Sequence, residues 1–319
     1  MSQPAPGPTP SRRAVDDGVA RTILDRVGNT PLIQIHLFVQ THPGVEFWAK
    51  AEWFNPGGSV KDRPAKRMIE EAERSGELTN DKVILDSTSG NTGIGYAMVA
   101  SAKGYKLVLV MPGNVSNERI ETVRAYGAEI VFSDPAEGSD GAIIKAREML
   151  AANPDRYYMP DQYNNPNNPL AHYATTAPEI FDQTGGRITH LVAGLGTSGT
   201  IVGTGRRLHE YNPEIKVVAV QPSSGWHGLE GLKHIPTAIR PGIYDESVHD
   251  VLIDVETEDA YDLARRLART EGILVGHSCG AALWGAAKVT EGLDSGVVVM
   301  IFPDGGDRYL SGGLYVSRT

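Results

Sequence analysis

Short β-rich runs alternate with helical patterns from residue 47 onward, and this alternation constrains the fold more than any other feature. The predicted strands are 47–51, 83–86, 106–111, 129–132, 190–192, 216–220 and 297–302. The predicted helices are 63–74, 94–103, 117–126, 142–152, 200–211, 258–270 and 281–289. Strict alternation predicts an α/β fold with mostly parallel twisted sheets between helical layers, and it places the ligand at the carboxyl ends of the strands.

The chain length predicts two such three-layer α/β/α domains, because 319 residues is about twice the usual domain size of roughly 150 residues. A stretch rich in proline and asparagine at 159–169 favours a loop that joins the domains across a cleft. Residues 1–17 are rich in Pro, Ser and Ala without apolar periodicity, so they are expected to form a disordered tail.

Charge and cysteine content narrow the range of partners. The net charge of −9 argues against a nucleic-acid or anionic-membrane partner. Cys279 is the only cysteine and no His-Glu-x-x-His motif occurs, so neither a disulfide nor a metal site is expected. No apolar run reaches transmembrane length and no secretory leader opens the sequence, which makes the cytoplasm the predicted location.

A lysine follows a glycine turn in the run 55–63. Pro56-Gly57-Gly58 predicts a tight turn, Ser59 can cap the next helix, and Lys61 is then expected in the first helical turn. A lysine in a partly desolvated cleft has a lowered pKa and can form a Schiff base with an aldehyde cofactor. On these residues alone, the alternative is a solvated surface lysine.

Two later loops predict anion-binding sites, because each lies between a predicted strand and a predicted helix. The loop at 86–93 combines hydroxyls and glycines at a helix amino terminus, where a substrate carboxylate would fit, although a simple capped turn is the alternative. The loop at 194–200 has the same character and could surround a phosphate.

The second of these loops also satisfies the dinucleotide pattern G-x-G-x-x-G. That pattern requires an acidic residue at the end of the next strand, where Gln221 and Pro222 stand instead. A lone phosphate is therefore favoured over a dinucleotide such as NAD.

The run 276–280 matches the G-x-S-x-G motif of α/β-hydrolases. Such an enzyme needs an acid and then a histidine after the serine, but no histidine follows His277. Ser278 is therefore interpreted as a hydrogen-bonding hydroxyl at a helix start, and Cys279 as a small packing residue.

The four motifs are the lysine run at 55–63, the loops at 86–93 and 194–200, and the run at 276–280. In this order, they resemble the cysteine synthase and cystathionine β-synthase family of fold-type II pyridoxal-phosphate enzymes, closest to O-acetylserine sulfhydrylase. The likeness runs from 27–32 (VGNTPL) to 304–311 (DGGDRYLS), about nine-tenths of the chain. It implies a fold like that of the tryptophan synthase β subunit. It also implies a smaller mobile domain at 49–161 that closes on a larger one at 18–48 plus 162–319, within a homodimer.

The resemblance also assigns roles to individual residues. Lys61 would form the Schiff base with pyridoxal 5'-phosphate, Asn91 would hydrogen-bond the cofactor's 3-hydroxyl, and Ser278 would lie next to the pyridine nitrogen. The residues implied to hold the phosphate are Gly196, Thr197, Ser198, Gly199 and Thr200. The residues implied to receive the substrate carboxylate are Thr88, Ser89, Asn91, Thr92 and Gln162.

The implied activity is a transferase reaction that makes L-cysteine from O-acetyl-L-serine and sulfide through an aminoacrylate intermediate, with Lys61 as general base. O-phosphoserine is the alternative donor, because the Lys233 ammonium could bind its phosphate, although Lys233 could equally be a surface lysine. A cystathionine β-synthase without a regulatory domain is a further alternative. An NAD-binding protein and an α/β-hydrolase are more remote.

Overall fold

The computed structural model describes residues 19–88 and 90–315. The tail predicted at 1–17 and the candidate substrate residue Ser89 lie outside the described residues. The strands are β1 (Leu32–Ile35), β2 (Val45–Ala51), β3 (Val83–Ser87), β4 (Lys106–Pro112), β5 (Glu129–Ser133), β6 (Tyr157–Tyr158), β7 (His190–Gly194), β8 (Lys216–Pro222), β9 (Val251–Val255) and β10 (Gly296–Phe302). The helices are α1 (Asp62–Ser75), α2 (Asn91–Lys103), α3 (Asn117–Ala125), α4 (Gly138–Ala152), α5 (Asn167–Ala174), α6 (Thr176–Gln183), α7 (Gly199–Tyr211), α8 (Thr257–Glu271) and α9 (His277–Val289).

These strands form two sheets. The larger has the order β1-β2-β10-β7-β8-β9, and only its edge strand β1 runs antiparallel to its neighbour. The smaller has the order β5-β4-β3-β6 and is parallel throughout. The predicted α/β class with mostly parallel sheets is confirmed.

Both faces of the larger sheet are buried, and β10 shows how. Val298 and Met300 pack in a core with α8 and α9, whereas Val299 and Ile301 pack on the opposite side with α6 and α7. Because side chains alternate between the faces of a strand, a strand covered on both sides must be apolar at nearly every position. The sequence of β10, GVVVMIF, therefore specifies a central strand.

The smaller sheet repeats this arrangement. Ile84 and Leu109 pack with α1 and α2, while Leu85 and Val110 pack with α4 on the other face. Burying one such aliphatic side chain stabilises the fold by about 1.5–3 kcal/mol. Each sheet thus has its own core, and the helices that carry the glycine-rich loops are held by those cores.

The structure corrects the predicted loop at 159–169, because α5 begins inside it at Asn167. Pro169 is compatible with this helix, since the first turn leaves its backbone N–H groups without intrahelical acceptors. Three short strands and α6 were not predicted at all. The predicted boundary at residue 49 falls inside β2, which pairs with β10 along its whole length. The division at 49 and 161 stays a prediction.

The part of the chain that the structure describes has no candidate membrane span and no candidate metal site. None of its helices combines the length and the apolar character needed to cross a bilayer. Across the same ranges, no group of three or more His, Cys, Asp or Glu side chains is arranged to hold a metal ion.

Candidate active site

Lys61 lies where the carboxyl end of β10 meets α1. The Val60 N–H donates to the Pro303 carbonyl at 2.8 Å, and Ser59 forms an isolated antiparallel bridge with Asp304. The Ser59 hydroxyl accepts from the Lys61 N–H at 3.2 Å, so Lys61 immediately precedes α1 rather than lying in its first turn. The backbone around Lys61 is thus fixed by the larger sheet.

The environment of Lys61 changes its acidity. Burial lowers the pKa of the Lys61 amine, and the negative charges of Asp304 and Glu52 oppose that shift in part. A lowered pKa increases the fraction of neutral amine near neutral pH, and only the neutral amine is nucleophilic. The predicted cleft lysine therefore has the electrostatic character that Schiff-base chemistry needs.

The loop between β7 and α7 is tightly constrained. Ser198, which caps α7, has a φ of 70°. A Cβ atom on Gly199 would lie 1.9 Å from Asn168 Oδ1, and one on Gly196 would lie 2.4 Å from the Gly231 carbonyl oxygen. Glycine is therefore required at both positions for close packing, as a loop that must approach an anion with its backbone requires.

Two residues that sequence analysis did not single out support this loop. The Asn168 side-chain amide donates to Thr197 Oγ1 at 3.1 Å. His172 Nε2 lies 3.3 Å from Thr200 Oγ1, and burial lowers the pKa of His172 to about 3. The imidazole is thus neutral at neutral pH. Its position below the loop could not be inferred from local sequence, because it depends on the packing of α5 against α7.

A cavity of about 520 Å³ connects Lys61 with this loop. The predicted cofactor residues that line it are Lys61, Asn91, Gly196, Thr197, Ser198, Thr200 and Ser278. Gly199 is absent from the lining, because it is the first residue of α7 and packs against Asn168. One cavity thus offers an amine, a helix amino terminus with hydroxyls, and a neutral hydroxyl at Ser278. These are the groups that an aldehyde, a phosphate and a pyridine nitrogen require, so the residues fit pyridoxal phosphate.

Ser278 is presented by the start of α9. Its neighbour Cys279 is fully buried, and its thiol lies 3.5 Å from the Asp304 carbonyl oxygen. Burial raises the pKa of Cys279, which keeps the thiol protonated and unreactive. Cys279 is therefore a packing residue, as predicted, and Ser278 provides the hydroxyl that reaches the cavity.

An adjoining cavity of about 620 Å³ is lined by residues that were predicted to bind the substrate. Its lining includes Lys61, Thr88, Asn91, Thr92, Gln162 and Lys233. The Thr92 hydroxyl donates to Gln162 Oε1 at 2.7 Å, and Gln162 Nε2 donates to the Ser87 carbonyl oxygen at 2.8 Å. Thr88 Oγ1 accepts from two backbone amides at 3.1 Å each. The amino terminus of α2 is thereby ordered at the cavity wall.

Asn91 stands between the two cavities and is held from both sides. Its Nδ2 donates to Asp304 Oδ2 at 2.6 Å, and its Oδ1 accepts from Arg308 Nη1 at 2.5 Å. Both partners come from the segment after β10, more than 200 residues away in the chain. The Asn91 amide is therefore fixed in orientation by the larger sheet, although Asn91 begins a helix of the smaller one.

Lys233 is only 8% exposed, so the alternative of a surface lysine is wrong. Its Nζ lies 3.1 Å from Asp140 Oδ1 and 5.2 Å from the centroid of the Tyr163 ring. Its backbone N–H donates to the Leu195 carbonyl at 2.7 Å, which ties this segment to the loop after β7. Lys233 is therefore a buried lysine in the wall of this cavity.

The lining also contains residues to which the sequence assigned no role, notably Arg119, Glu230 and Tyr309, and the Tyr309 hydroxyl donates to Asp304 Oδ2 behind the cavity wall. Arg119 forms an ion pair with Glu230, and its guanidinium carbon lies 5.2 Å from the centroid of the Tyr309 ring. Asp304 follows the carboxyl end of a predicted strand, a position that marks ligand sites in such sheets. Sequence analysis could not identify Arg119 as a site residue, because Arg119 reaches the cavity from α3, a helix beside the smaller sheet.

Comparison with known proteins is consistent with this geometry. A cysteine synthase of Aquifex aeolicus is 53% identical over 303 residues, which cover 93% of each chain. The solved structure of a cysteine synthase from Entamoeba histolytica matches with a TM-score of 0.89 at 34% identity, over 100% of this chain and 96% of that one. The O-acetylserine dependent cystathionine β-synthase of Helicobacter pylori matches with a TM-score of 0.87 at 36% identity, over 93% and 99% of the chains.

A family model described as pyridoxal-phosphate dependent enzyme matches residues 23–304. The predicted family and its dependence on pyridoxal phosphate are confirmed, and the remoter NAD-binding and α/β-hydrolase alternatives are wrong. The chain belongs to the family of pyridoxal-phosphate dependent enzymes.

Proposed function

We propose that this enzyme is a cysteine synthase that makes L-cysteine and acetate from O-acetyl-L-serine and sulfide. The observation that carries the proposal is the cavity in which Lys61 meets the hydroxyls of Thr197, Ser198 and Thr200. The adjoining cavity, with the amino terminus of α2 in its wall, supplies room for the amino-acid substrate. The names of the relatives support the same reaction.

The cavity residues have distinct tasks in holding the cofactor. Lys61 is the point of covalent attachment, and the backbone amides and hydroxyls at the start of α7 bind the phosphate. Asn91 is the partner of the 3-hydroxyl, and Ser278 is the partner of the ring nitrogen. When bound, pyridoxal phosphate supplies an electron sink for the bonds at the substrate's Cα.

The substrate carboxylate is bound by the start of α2 in this proposal. Thr88 and Thr92 present hydroxyls there, and the helix dipole adds a favourable positive potential. Gln162 orients Thr92 through the 2.7 Å hydrogen bond between their side chains. Movement of residues 49–161 toward the rest of the chain would exclude water once the carboxylate is bound.

Lys61 acts as the general base. Its lowered pKa allows the amine to accept the Cα proton, and the same group returns a proton after sulfide has added at Cβ. The acetate group leaves from Cβ between these two transfers. One amine therefore serves both transfers, and the side chains of the adjoining cavity hold the substrate's Cα within its reach.

Three finer features complete the proposal. O-phosphoserine is the alternative donor, because the buried Lys233 ammonium lines the substrate cavity. Homocysteine as the incoming thiol is a second alternative, which the Helicobacter pylori relative favours. We also propose a homodimer that works in the cytoplasm.

The test begins with covalent attachment. Full-length protein saturated with pyridoxal phosphate is reduced with borohydride, and the peptide that contains Lys61 is analysed by mass spectrometry. The expected result is the cofactor's added mass on that peptide, together with loss of the visible absorption band in Lys61→Ala. Lys66→Ala is the matched control, because Lys66 lies on α1 with its Nζ 3.0 Å from the Leu24 carbonyl oxygen. Label on another peptide would overturn the assignment.

The donor is tested by single-turnover mixing of the enzyme with O-acetylserine, O-phosphoserine or serine. O-acetylserine is expected to release its Cβ substituent fastest, and sulfide is then expected to yield L-cysteine. Faster reaction of O-phosphoserine would replace the proposed donor, and production of cystathionine in preference to cysteine would replace the proposed nucleophile.

A further inference from the structure

Glu230 is an acid in a site that has to accept anions. Among the described residues that line the two cavities, it is the only aspartate or glutamate. The proposed ligands of these cavities, a cofactor phosphate and an amino-acid carboxylate, are both negatively charged, so a carboxylate in the wall opposes their binding. The position of Glu230 therefore needs a physical explanation.

The Glu230 carboxylate forms an ion pair with Arg119 Nη1. Arg119 comes from α3, beside the smaller sheet, whereas Glu230 lies in the loop that follows β8 of the larger sheet. Both residues line the substrate cavity, so the pair joins two of its walls. The side chain of Arg119 is 6% exposed and that of Glu230 is 58% exposed. The cation is thus a buried part of the wall, and the anion reaches it from the solvent side.

Arg119 lies directly beside the loop that is proposed to bind the substrate carboxylate. A Cβ on Gly90, the residue before α2, would lie 3.2 Å from Arg119 Nε and 3.4 Å from its Cζ. Glycine at this position therefore lets the guanidinium lie against the loop. The ring of Tyr309 is also close to the guanidinium, with its centroid 5.2 Å from Cζ. The guanidinium is therefore next to the proposed position of the carboxylate.

A second ion pair at the same cavity is built differently. Lys233 Nζ lies 3.1 Å from Asp140 Oδ1, and Asp140 Oδ2 also accepts from the Ile239 N–H at 3.2 Å. Asp140 is therefore held by two groups, and its side chain is 34% exposed. Glu230 is the more exposed of the two acids, so its carboxylate can turn into water at a lower cost in free energy.

Two further charged residues lie behind the cavity wall. Arg308 donates to Asn91 Oδ1 and to the Gly57 carbonyl oxygen. Asp304 Oδ2 accepts from Asn91 Nδ2 at 2.6 Å and from the Tyr309 hydroxyl at 2.5 Å. Neither charged residue belongs to the described lining of the substrate cavity. These hydrogen bonds hold both groups away from an incoming substrate.

The backbone of Glu230 is fixed, although its side chain is exposed. Leu229 and Leu232, on either side of it in the chain, are buried in the core of the larger sheet. The Glu230 N–H donates to the Gly228 carbonyl at 3.1 Å. A change of side-chain rotamer is therefore enough to move the carboxylate from Arg119 into solvent, without a rearrangement of the loop.

We propose that Glu230 is an internal competitor of the substrate for Arg119. Before the substrate binds, Glu230 neutralises the buried guanidinium, and the carboxylate of the amino-acid donor takes its place when the donor binds at the start of α2. Arg119 then has a counter-charge in both states, which a buried cation requires. This inference rests on the proposed function and deepens it. Arg119 becomes a binding residue for the donor's carboxylate, and Glu230 becomes the residue that tunes the donor's affinity.

The test measures the binding of two ligands to the full-length, cofactor-loaded enzyme by isothermal titration calorimetry. L-alanine has the carboxylate but no leaving group at Cβ, and L-alaninamide has an uncharged amide in place of the carboxylate. We expect Glu230→Gln to bind L-alanine roughly three- to tenfold more tightly than the wild type, with the affinity for L-alaninamide unchanged. Glu246→Gln is the matched control, because Glu246 forms an exposed pair with Arg240, and both affinities should stay the same.

A second variant distinguishes exchange on Arg119 from a general change in the charge of the cavity. Arg119→Gln should weaken the binding of L-alanine at least roughly tenfold, because the donor's carboxylate loses a charged hydrogen bond. In the double variant, Glu230→Gln should no longer tighten the binding of L-alanine, since the two side chains act on each other. In steady-state kinetics, Glu230→Gln should lower the KM for O-acetylserine and leave kcat unchanged.

Three results would overturn the proposal. These are unchanged or weaker binding of L-alanine by Glu230→Gln, equal changes for L-alanine and L-alaninamide, and a gain in affinity that persists without Arg119. The results are separable from the proposed function. That function is judged by the preferred donor, the product and the peptide labelled by borohydride, and calorimetry with L-alanine depends on none of these.

Discussion

Arg63 and Glu179 form a bidentate ion pair in the interior, with Nη1 and Nη2 of the guanidinium each 2.8 Å from one carboxylate oxygen. Arg63 lies two residues after Lys61 on α1, and Glu179 lies on α6. Lys50 of β2 donates to the same carboxylate at 2.7 Å, and Glu52 accepts a hydrogen bond from Arg63 Nε at 2.7 Å. The start of α1, directly after Lys61, is therefore bound to β2 and α6 by buried charges.

Removing one partner from this network should be costly. Glu179→Gln leaves Arg63 and Lys50 without a full counter-charge in the interior, and we expect a loss of about 3–5 kcal/mol in the free energy of unfolding. Urea titration followed by circular dichroism gives the measurement. Glu46→Gln is the control, because its exposed pair with Arg187 should contribute about 1 kcal/mol or less. Equal losses in the two variants would refute a special role for the buried network.

The Glu179 carboxylate also makes the stability of the protein depend on pH in the acid range. Hydrogen bonds and charge from Arg63 outweigh burial and lower the pKa of Glu179 from 4.5 to about 2. A carboxyl whose folded pKa is depressed contributes stability that is present above pH 4.5 and is lost as the pH falls toward 2. We expect this contribution to be roughly 3 kcal/mol. Acid titration of unfolding should therefore be less steep in Glu179→Gln than in the wild type, and identical slopes would contradict the assignment.

The loop after β7 should be sensitive to a single methyl group. A Cβ on Gly199 would lie 1.9 Å from Asn168 Oδ1, so Asn168 must move and release Thr197. Because a charged hydrogen bond is worth about 1.5–3 kcal/mol, we expect Gly199→Ala to weaken binding of pyridoxal phosphate at least roughly tenfold. Equilibrium dialysis with absorbance detection measures this. The control is Gly312→Ala, whose Cβ would be 3.6 Å from the nearest atom, and it should bind pyridoxal phosphate normally. Equally tight binding of the cofactor by both variants would contradict the prediction.

Lys233 should determine how well the enzyme distinguishes a phosphorylated donor. Replacing it with methionine keeps the apolar stem but removes the charge, so the ratio of kcat/KM for O-phosphoserine to that for O-acetylserine is expected to fall roughly 10- to 100-fold. Steady-state kinetics with both donors provide the test. Lys216→Met, which removes an exposed lysine at the start of β8, should leave the ratio unchanged. An unaltered ratio in Lys233→Met would show that Lys233 does not meet the donor.

Local sequence was sufficient for the elements and loops that depend on local chemistry. The apolar run of β10 specifies a strand buried on both faces, and the alternation with helices specifies parallel sheets. The glycine-rich loops could be placed at strand ends for the same reason, since turn chemistry is encoded within a few residues. The strands β1 and β6 escaped detection, because two to four residues carry too little periodicity. The strand β9 was also missed, although β3, β5 and β7, which have the same length, were predicted.

The contacts that bring distant segments together were decided by the tertiary structure alone. Asn91 and Asp304 are 213 residues apart, and Arg63 and Glu179 are 116 apart, yet each pair shares a hydrogen bond in the interior. No local pattern predicts such partners, because their proximity follows from how the two sheets and α6 pack. The sequence alone determined the amine and the anion-binding loops. Packing decided which buried charges surround that amine, because desolvation and ion pairing depend on neighbours that only the fold brings close.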